Sequence, residues 1–183
     1  MCIRDRTSTT TTDPNWESED ATTGNNENSI GTGPLWDHTQ FVTPGGLYMY
    51  METSSGTVGD TADFISPSIY IDPAYNAFEL EYWYFNFGSL IDRMDVIIDT
   101  NGVENIIASY SGQQQTLQSD PWLLGTHLVS GYAGKSIQIK FRGFNVACCD
   151  GDIAIDDVAL NIVSPIDAGA IALSEPINDS LQC

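Results

Sequence analysis

Gly151-Asp152-Ile153-Ala154-Ile155-Asp156-Asp157-Val158-Ala159-Leu160 decides the fold of this chain. Side chains alternate between the two faces of a strand, so Ile153 and Ile155 share one face. Val158 and Leu160, with Ile162 beyond them, take the opposite parity. The apolar face therefore changes phase at Asp156-Asp157. One inserted residue re-aims everything after it, so the spacing predicts a strand with a β-bulge at the two aspartates. That strand needs a sheet on which to close.

The rest of the chain supplies it. Short apolar or alternating runs punctuated by Gly, Pro, Asn and Asp predict strands at Leu47 to Glu52, Ala62 to Ser66, Phe78 to Phe87, Met94 to Asp99, Asn105 to Tyr110, His127 to Val129, Ser136 to Arg142 and Ile153 to Ile162. A further short strand is placed around Trp16. In Phe78 to Phe87 the core face is Phe78, Leu80, Tyr82 and Tyr84; in Ser136 to Arg142 it is Ile137, Ile139 and Phe141. No sustained helical period occurs. The expected fold is all-β, a jelly-roll-like two-sheet antiparallel β-sandwich.

Composition narrows the function classes. With 183 residues the chain holds one domain of ordinary size, and 42% hydrophobic residues suffice for a core. Twenty-five acidic against six basic residues give a net charge of −19. Phosphate backbones are bound through Lys and Arg, so nucleic acid is excluded as a partner. No apolar run reaches the length of a membrane span, and no signal-peptide core lies near the start, so the sequence reads as a piece of a secreted precursor. Cys2, Cys148, Cys149 and Cys183 lack zinc or redox spacing. Their pairing is left open.

Three segments are expected: residues 1–12 foreign or disordered, 13–163 the sandwich, and 164–183 a linker and the start of a further domain, where Asp167 to Leu173 resemble the opening of an immunoglobulin-like repeat. An ordered tail on the sandwich is the competing reading for the last. Catalysis has little sequence support: His38 and His127 fall in a loop and a strand, and the chain holds no Gly-x-Ser-x-Gly elbow, His-Glu-x-x-His helix or phosphate loop. A carboxylate pair of the glycosidase type depends on spacing in space, which sequence does not show. Asp150-Gly151-Asp152 fails as an EF-hand, since Ala154 stands where a ligand is needed. Trp36, Trp83, Trp122 and Tyr132 suit either a sugar platform or packing, and packing is the commoner fate.

Four motifs in fixed order carry a family resemblance: Gly31-Thr32-Gly33-Pro34 shortly before Asp37-His38-Thr39; Gly46-Leu47-Tyr48-Met49-Tyr50-Met51-Glu52-Thr53-Ser54; Ala62-Asp63-Phe64-Ile65-Ser66-Pro67; and Phe141-Arg142-Gly143 before the closing strand. Together they resemble a MAM domain, the extracellular module of meprins, neuropilins and receptor tyrosine phosphatases, over Trp16 to Ile162. The usual upstream Phe-Asp or Phe-Glu strand is replaced by a Thr tract, and Ala77 stands where a cysteine is usual. The form is closer to a bacterial multidomain surface protein.

The resemblance implies an extracellular, secreted or cell-surface location and a non-catalytic adhesion or recognition role, with a protein or glycan ligand. A carbohydrate-binding accessory domain and a passive spacer are the alternatives. A carboxylate at the bulge beside the core is costly unless paired or metal-bound. Oxygen-rich sites suit Ca²⁺, and the resemblance adds weight to a structural Ca²⁺ or Na⁺ held by Asp37, Glu52 and Asp157. Otherwise Asp157 caps backbone N–H groups at the bulge and Glu52 is a solvated strand end. His38 is expected to serve loop hydrogen bonds. Ligand and oligomeric state stay open.

Overall fold

The computed structural model describes residues 16–20, 31–39, 46–52, 58–145 and 150–163. All four cysteines, residues 1–12 and 164–183 lie outside the described residues, and with them the expectations for both ends of the chain. Among the described residues there are ten strands: β1 Trp16–Asp20, β2 Leu47–Glu52, β3 Thr61–Ile65, β4 Ile69–Tyr70, β5 Ala77–Phe87, β6 Ile91–Thr100, β7 Val103–Ser111, β8 Leu123–Ser130, β9 Ser136–Asn145 and β10 Asp152–Ile162. All eight predicted strands and the one around Trp16 are present; β4, two residues behind Pro67 and Ser68, is the addition. No described helix is long and apolar enough to cross a membrane.

Two antiparallel sheets form a jelly-roll sandwich. One has the order β1-β2-β10-β5-β8, the other β3-β9-β6-β7 with β4 also on β9. The core between them is the predicted one. Phe78, Leu80, Tyr82 and Tyr84 of β5 meet Ile137, Ile139 and Phe141 of β9, all buried. Trp16 joins this core and its indole N–H donates to the Ala62 carbonyl at 3.0 Å, tying β1 across to β3. A two-residue turn, Asn101-Gly102, links β6 to β7 with φ of 53° and 85°, the left-handed pair that matches strand twist in tight hairpins.

The phase switch in β10 is a bulge. Asp156 pairs with Trp83 and Ala159 with Glu81, so Asp157 and Val158 together face the single residue Tyr82. Asp157 takes φ of 47°. As a result Ile153, Ile155, Val158 and Leu160 all reach the same core. Ile162, expected to continue that face, is instead exposed where the strand runs out.

The outer face of the second sheet concentrates basic residues. Arg142 bonds both oxygens of Asp63 at 2.6 and 2.7 Å and reaches Glu104 at 2.9 Å, while Lys140 bridges Asp99 at 2.5 Å and Glu104 at 2.9 Å. First Arg142 and then Lys140 pull the Glu104 carboxyl down to about 2 from an ordinary 4.5. A depressed carboxyl stabilises the fold above its unfolded value and loses that contribution as pH falls through the folded one. Acid titration should therefore show a stability loss between about pH 4.5 and 2 that Glu104→Gln removes. Melting curves across that window check it.

Candidate functional site

The segment Gly31 to Thr39 lies along the outer face of the first sheet and is fixed at both ends to β10. At one end the Thr32 hydroxyl donates to Asp152 Oδ2 at 2.8 Å. At the other, the His38 backbone N–H donates to Asp156 Oδ2 at 3.1 Å, and His38 Nδ1 lies 2.9 Å from Asp157 Oδ2. Thr39 Oγ1 also donates to Asp157. The His38 ring stacks on Trp83 with centroids 3.8 Å apart.

Beneath this strap sits a second apolar cluster of Tyr48, Tyr50, Phe85, Trp122 and Ala154. These residues have the parity opposite to the main core, so β2, β5 and β10 are buried on both faces here. Trp122 pins the strap, its indole N–H donating to the Trp36 carbonyl at 3.0 Å. Of the four aromatics weighed as a sugar platform, Trp122 is buried in this cluster and Trp83 is covered by His38.

The strap brings acids together. Burial, then the charges of Asp157 and Asp37, push the Asp156 carboxyl up to about 8. His38 Nδ1 and carboxylate oxygens of Asp156 and Asp157 lie within 4.8 Å of one another. Of the sequence-predicted ligands, Asp157 belongs to this group, while Asp37 lies close enough for its charge to act on Asp156. Glu52 pairs in register with Asp152, four residues along β10 from Asp156, or about 13 Å at strand spacing. Its side chain lies outside the described residues. Among the described residues it is Asp156 that caps backbone N–H groups: its Oδ1 accepts from Asp157 N at 2.8 Å and its Oδ2 from His38 N. His38 serves loop hydrogen bonds, as expected.

Beyond β5, edge strands β7 and β8 border an open cleft of about 400 Å³. Asn105 and Ile107 line it from β7, five successive residues Thr126 to Ser130 from β8, and Tyr132 closes one end. Below, the Tyr82 hydroxyl meets Tyr110 Oη and His127 Nε2, each at 2.8 Å. Burial, first, and the bond to Tyr110 push the Tyr82 phenol far up, while burial lowers His127. Both are neutral near pH 7 and form a hydrogen-bonded knot. Tyr82→Phe should cost about 1–2 kcal/mol, the loss of a buried hydroxyl with two partners, measured by urea unfolding.

The chain matches the family described as MAM domain, meprin/A5/mu over residues 4–164. It belongs to the MAM family. Similar curated proteins include MAM domain-containing glycosylphosphatidylinositol anchor protein 1 of Gallus gallus, 30% identical over 79% of this chain. MAM domain-containing glycosylphosphatidylinositol anchor protein 2 of Homo sapiens is likewise 30% identical over 79%. The chain spans about 15% of the length of either relative. The MAM homologues are extracellular or glycosylphosphatidylinositol-anchored cell-surface proteins, in line with the localisation that the sequence resemblance implies.

Among solved structures, the K1 cleaved adhesin domain of Lys-gingipain from Porphyromonas gingivalis W83 is similar at TM-score 0.48 and 15% identity, covering 81% of this chain and 90% of that one. Family 16 Carbohydrate Binding Module-2 is similar at TM-score 0.44 and 14% identity, covering 63% and 77%. In this MAM domain the first and last quoted motifs meet at the strap: Thr32 and His38 on Asp152, Asp156 and Asp157. Its second motif supplies Tyr48 and Tyr50 beneath.

Proposed function

We propose that this MAM domain is a non-catalytic extracellular recognition module, binding a protein partner as part of a larger secreted or cell-surface protein. The observation that carries this reading is the open edge. In a chain of net charge −19, β8 holds no Asp, Glu, Lys or Arg, and exposes Leu124 and Leu128. Uncharged apolar surface on a highly charged domain marks an interaction site. The test presents the immobilised domain to an extracellular protein library and a glycan array. Saturable protein binding supports the reading; glycan binding alone supports the carbohydrate-binding alternative, and silence in both supports a spacer.

The cation is a separate proposal for the bulge, with His38, Asp156 and Asp157, whose ligand atoms lie within 4.8 Å of one another, as its holders in place of the set with Glu52. The carboxylate oxygens suit a hard cation such as Ca²⁺, which would offset the burial and the neighbouring charges that push the Asp156 carboxyl up. Calcium at a hundredfold excess over Kd should add about 2.7 kcal/mol, roughly 5–10 °C in melting temperature for a domain of this size. EDTA should reverse it and Asp157→Asn abolish it. A melting temperature indifferent to both reagents removes the proposal.

A further inference from the structure

Side chains alternate along a strand, so a cleft lined by five consecutive residues of β8, Thr126 to Ser130, runs along that strand's backbone edge rather than over one of its faces. Its other wall, Asn105 and Ile107, is one face of β7. Among the described residues β8 pairs only with β5. Its second row of backbone N–H and C=O groups faces the cleft. Exposed edges are ordinarily protected by charge, proline or bulges. β8 is eight residues long, carries neither charge nor proline, and pairs with β5 from Ala77↔Ser130 to Tyr84↔Leu123 without a register shift.

From this geometry we infer that β8 accepts an extended segment of a partner protein as an added strand, a surface and binding mode that rest on the recognition reading above. The incoming backbone completes the hydrogen-bond ladder. Alternate side chains of the incoming strand enter the cleft over Ile107 and Tyr132, and the others lie beside Leu124 and Leu128, which are 49% and 70% exposed. Glu79 and Glu81 of β5 stand directly behind, paired in register with Leu128 and Thr126. An uncharged strip backed by acids selects a segment with alternating apolar residues and basic flanks. A second copy of this chain is disfavoured as the occupant, because each copy brings a charge of −19.

The probe is a synthetic peptide of alternating valine and threonine flanked by lysines, compared with the same peptide N-methylated at alternate backbone amides. The unmodified peptide should bind saturably and slow amide exchange along Leu123–Ser130. The methylated one should bind at least about tenfold more weakly, through the ladder bonds it lacks. Leu128→Ser should weaken peptide binding without moving the melting temperature, since the side chain is exposed. Equal binding of both peptides, no binding, or protection on other strands overturns the inference. So does a concentration-dependent dimer that protects β8 without peptide. Library partners that bind Leu128→Ser as well as the unaltered domain overturn it while leaving the recognition reading intact. Peptide binding by a domain with no library partner removes the recognition reading alone.

Discussion

Trp122→Ala should lower stability by about 3–5 kcal/mol, the cost of emptying a buried tryptophan site, and at roughly 2–4 °C per kcal/mol should shift the melting temperature by ~6–20 °C. Trp122 lies within 5.6 Å of Tyr48 and 5.7 Å of Phe85, ring to ring, and its indole N–H holds the Trp36 carbonyl. Removing it strips both packing and anchor from the strap. His38 and Thr39, which hold Asp156 and Asp157, should then lose protection in amide exchange before the strands do. Trp122→Phe keeps most of the ring burial and should cost less than half as much. A loss below about 1 kcal/mol for the alanine variant would mean that the strap is not part of the cooperative fold.

That second cluster also marks how far the sequence could be read. The bulge was legible because strand parity is strictly local: a phase change between Ile155 and Val158 has few other causes. The same local rule assigned one core face per strand, so it could not show that Tyr48, Tyr50 and Phe85 are covered too. Their cover is Trp122 and a strap that sequence alone reads as loop. The length of the aromatic run from Tyr82 to Phe85 was the available signal. β4 escaped because two residues carry no periodicity.

The candidate site divided along the same line. His38 and Thr39, beside Asp37, reach Asp156 and Asp157 through loop-to-bulge contacts, but Glu52 lies away from them. Which residue of β10 it faces depends on a register between strands about a hundred residues apart, and that register puts Asp152 there. Asp156 was passed over for its neighbour because parity does not tell which of two bulge residues turns inward. The open edge needed sheet order, although the uncharged run Leu123 to Ser130 stands out in a chain this acidic.

Gly88→Ala should cost about 2–6 kcal/mol, the sum of backbone strain and overpacking, and so rank with the tryptophan variant. Gly88 has φ of 129°, a conformation L side chains rarely adopt. An added Cβ would also stand 2.3 Å from Gly151 Cα, 2.6 Å from the Asp150 carbonyl oxygen and 2.7 Å from Gly151 N. All three are backbone atoms, so no side chain can swing aside. The turn between β5 and β6 is held against them by Leu90 N donating to Asp150 O at 2.8 Å and by the Ser89 hydroxyl on the Asp150 carboxylate. Relieving the clash therefore means moving the start of β10, the strand on which the sandwich closes. Gly102→Ala is the control: φ is 85° but nothing lies within 4 Å of the new Cβ, so only the left-handed penalty of about 1–2 kcal/mol applies. Chemical denaturation of the two variants separates the terms. A Gly88 variant no worse than the Gly102 variant would show that the close approach of the two backbones is not what glycine is needed for at the head of β10.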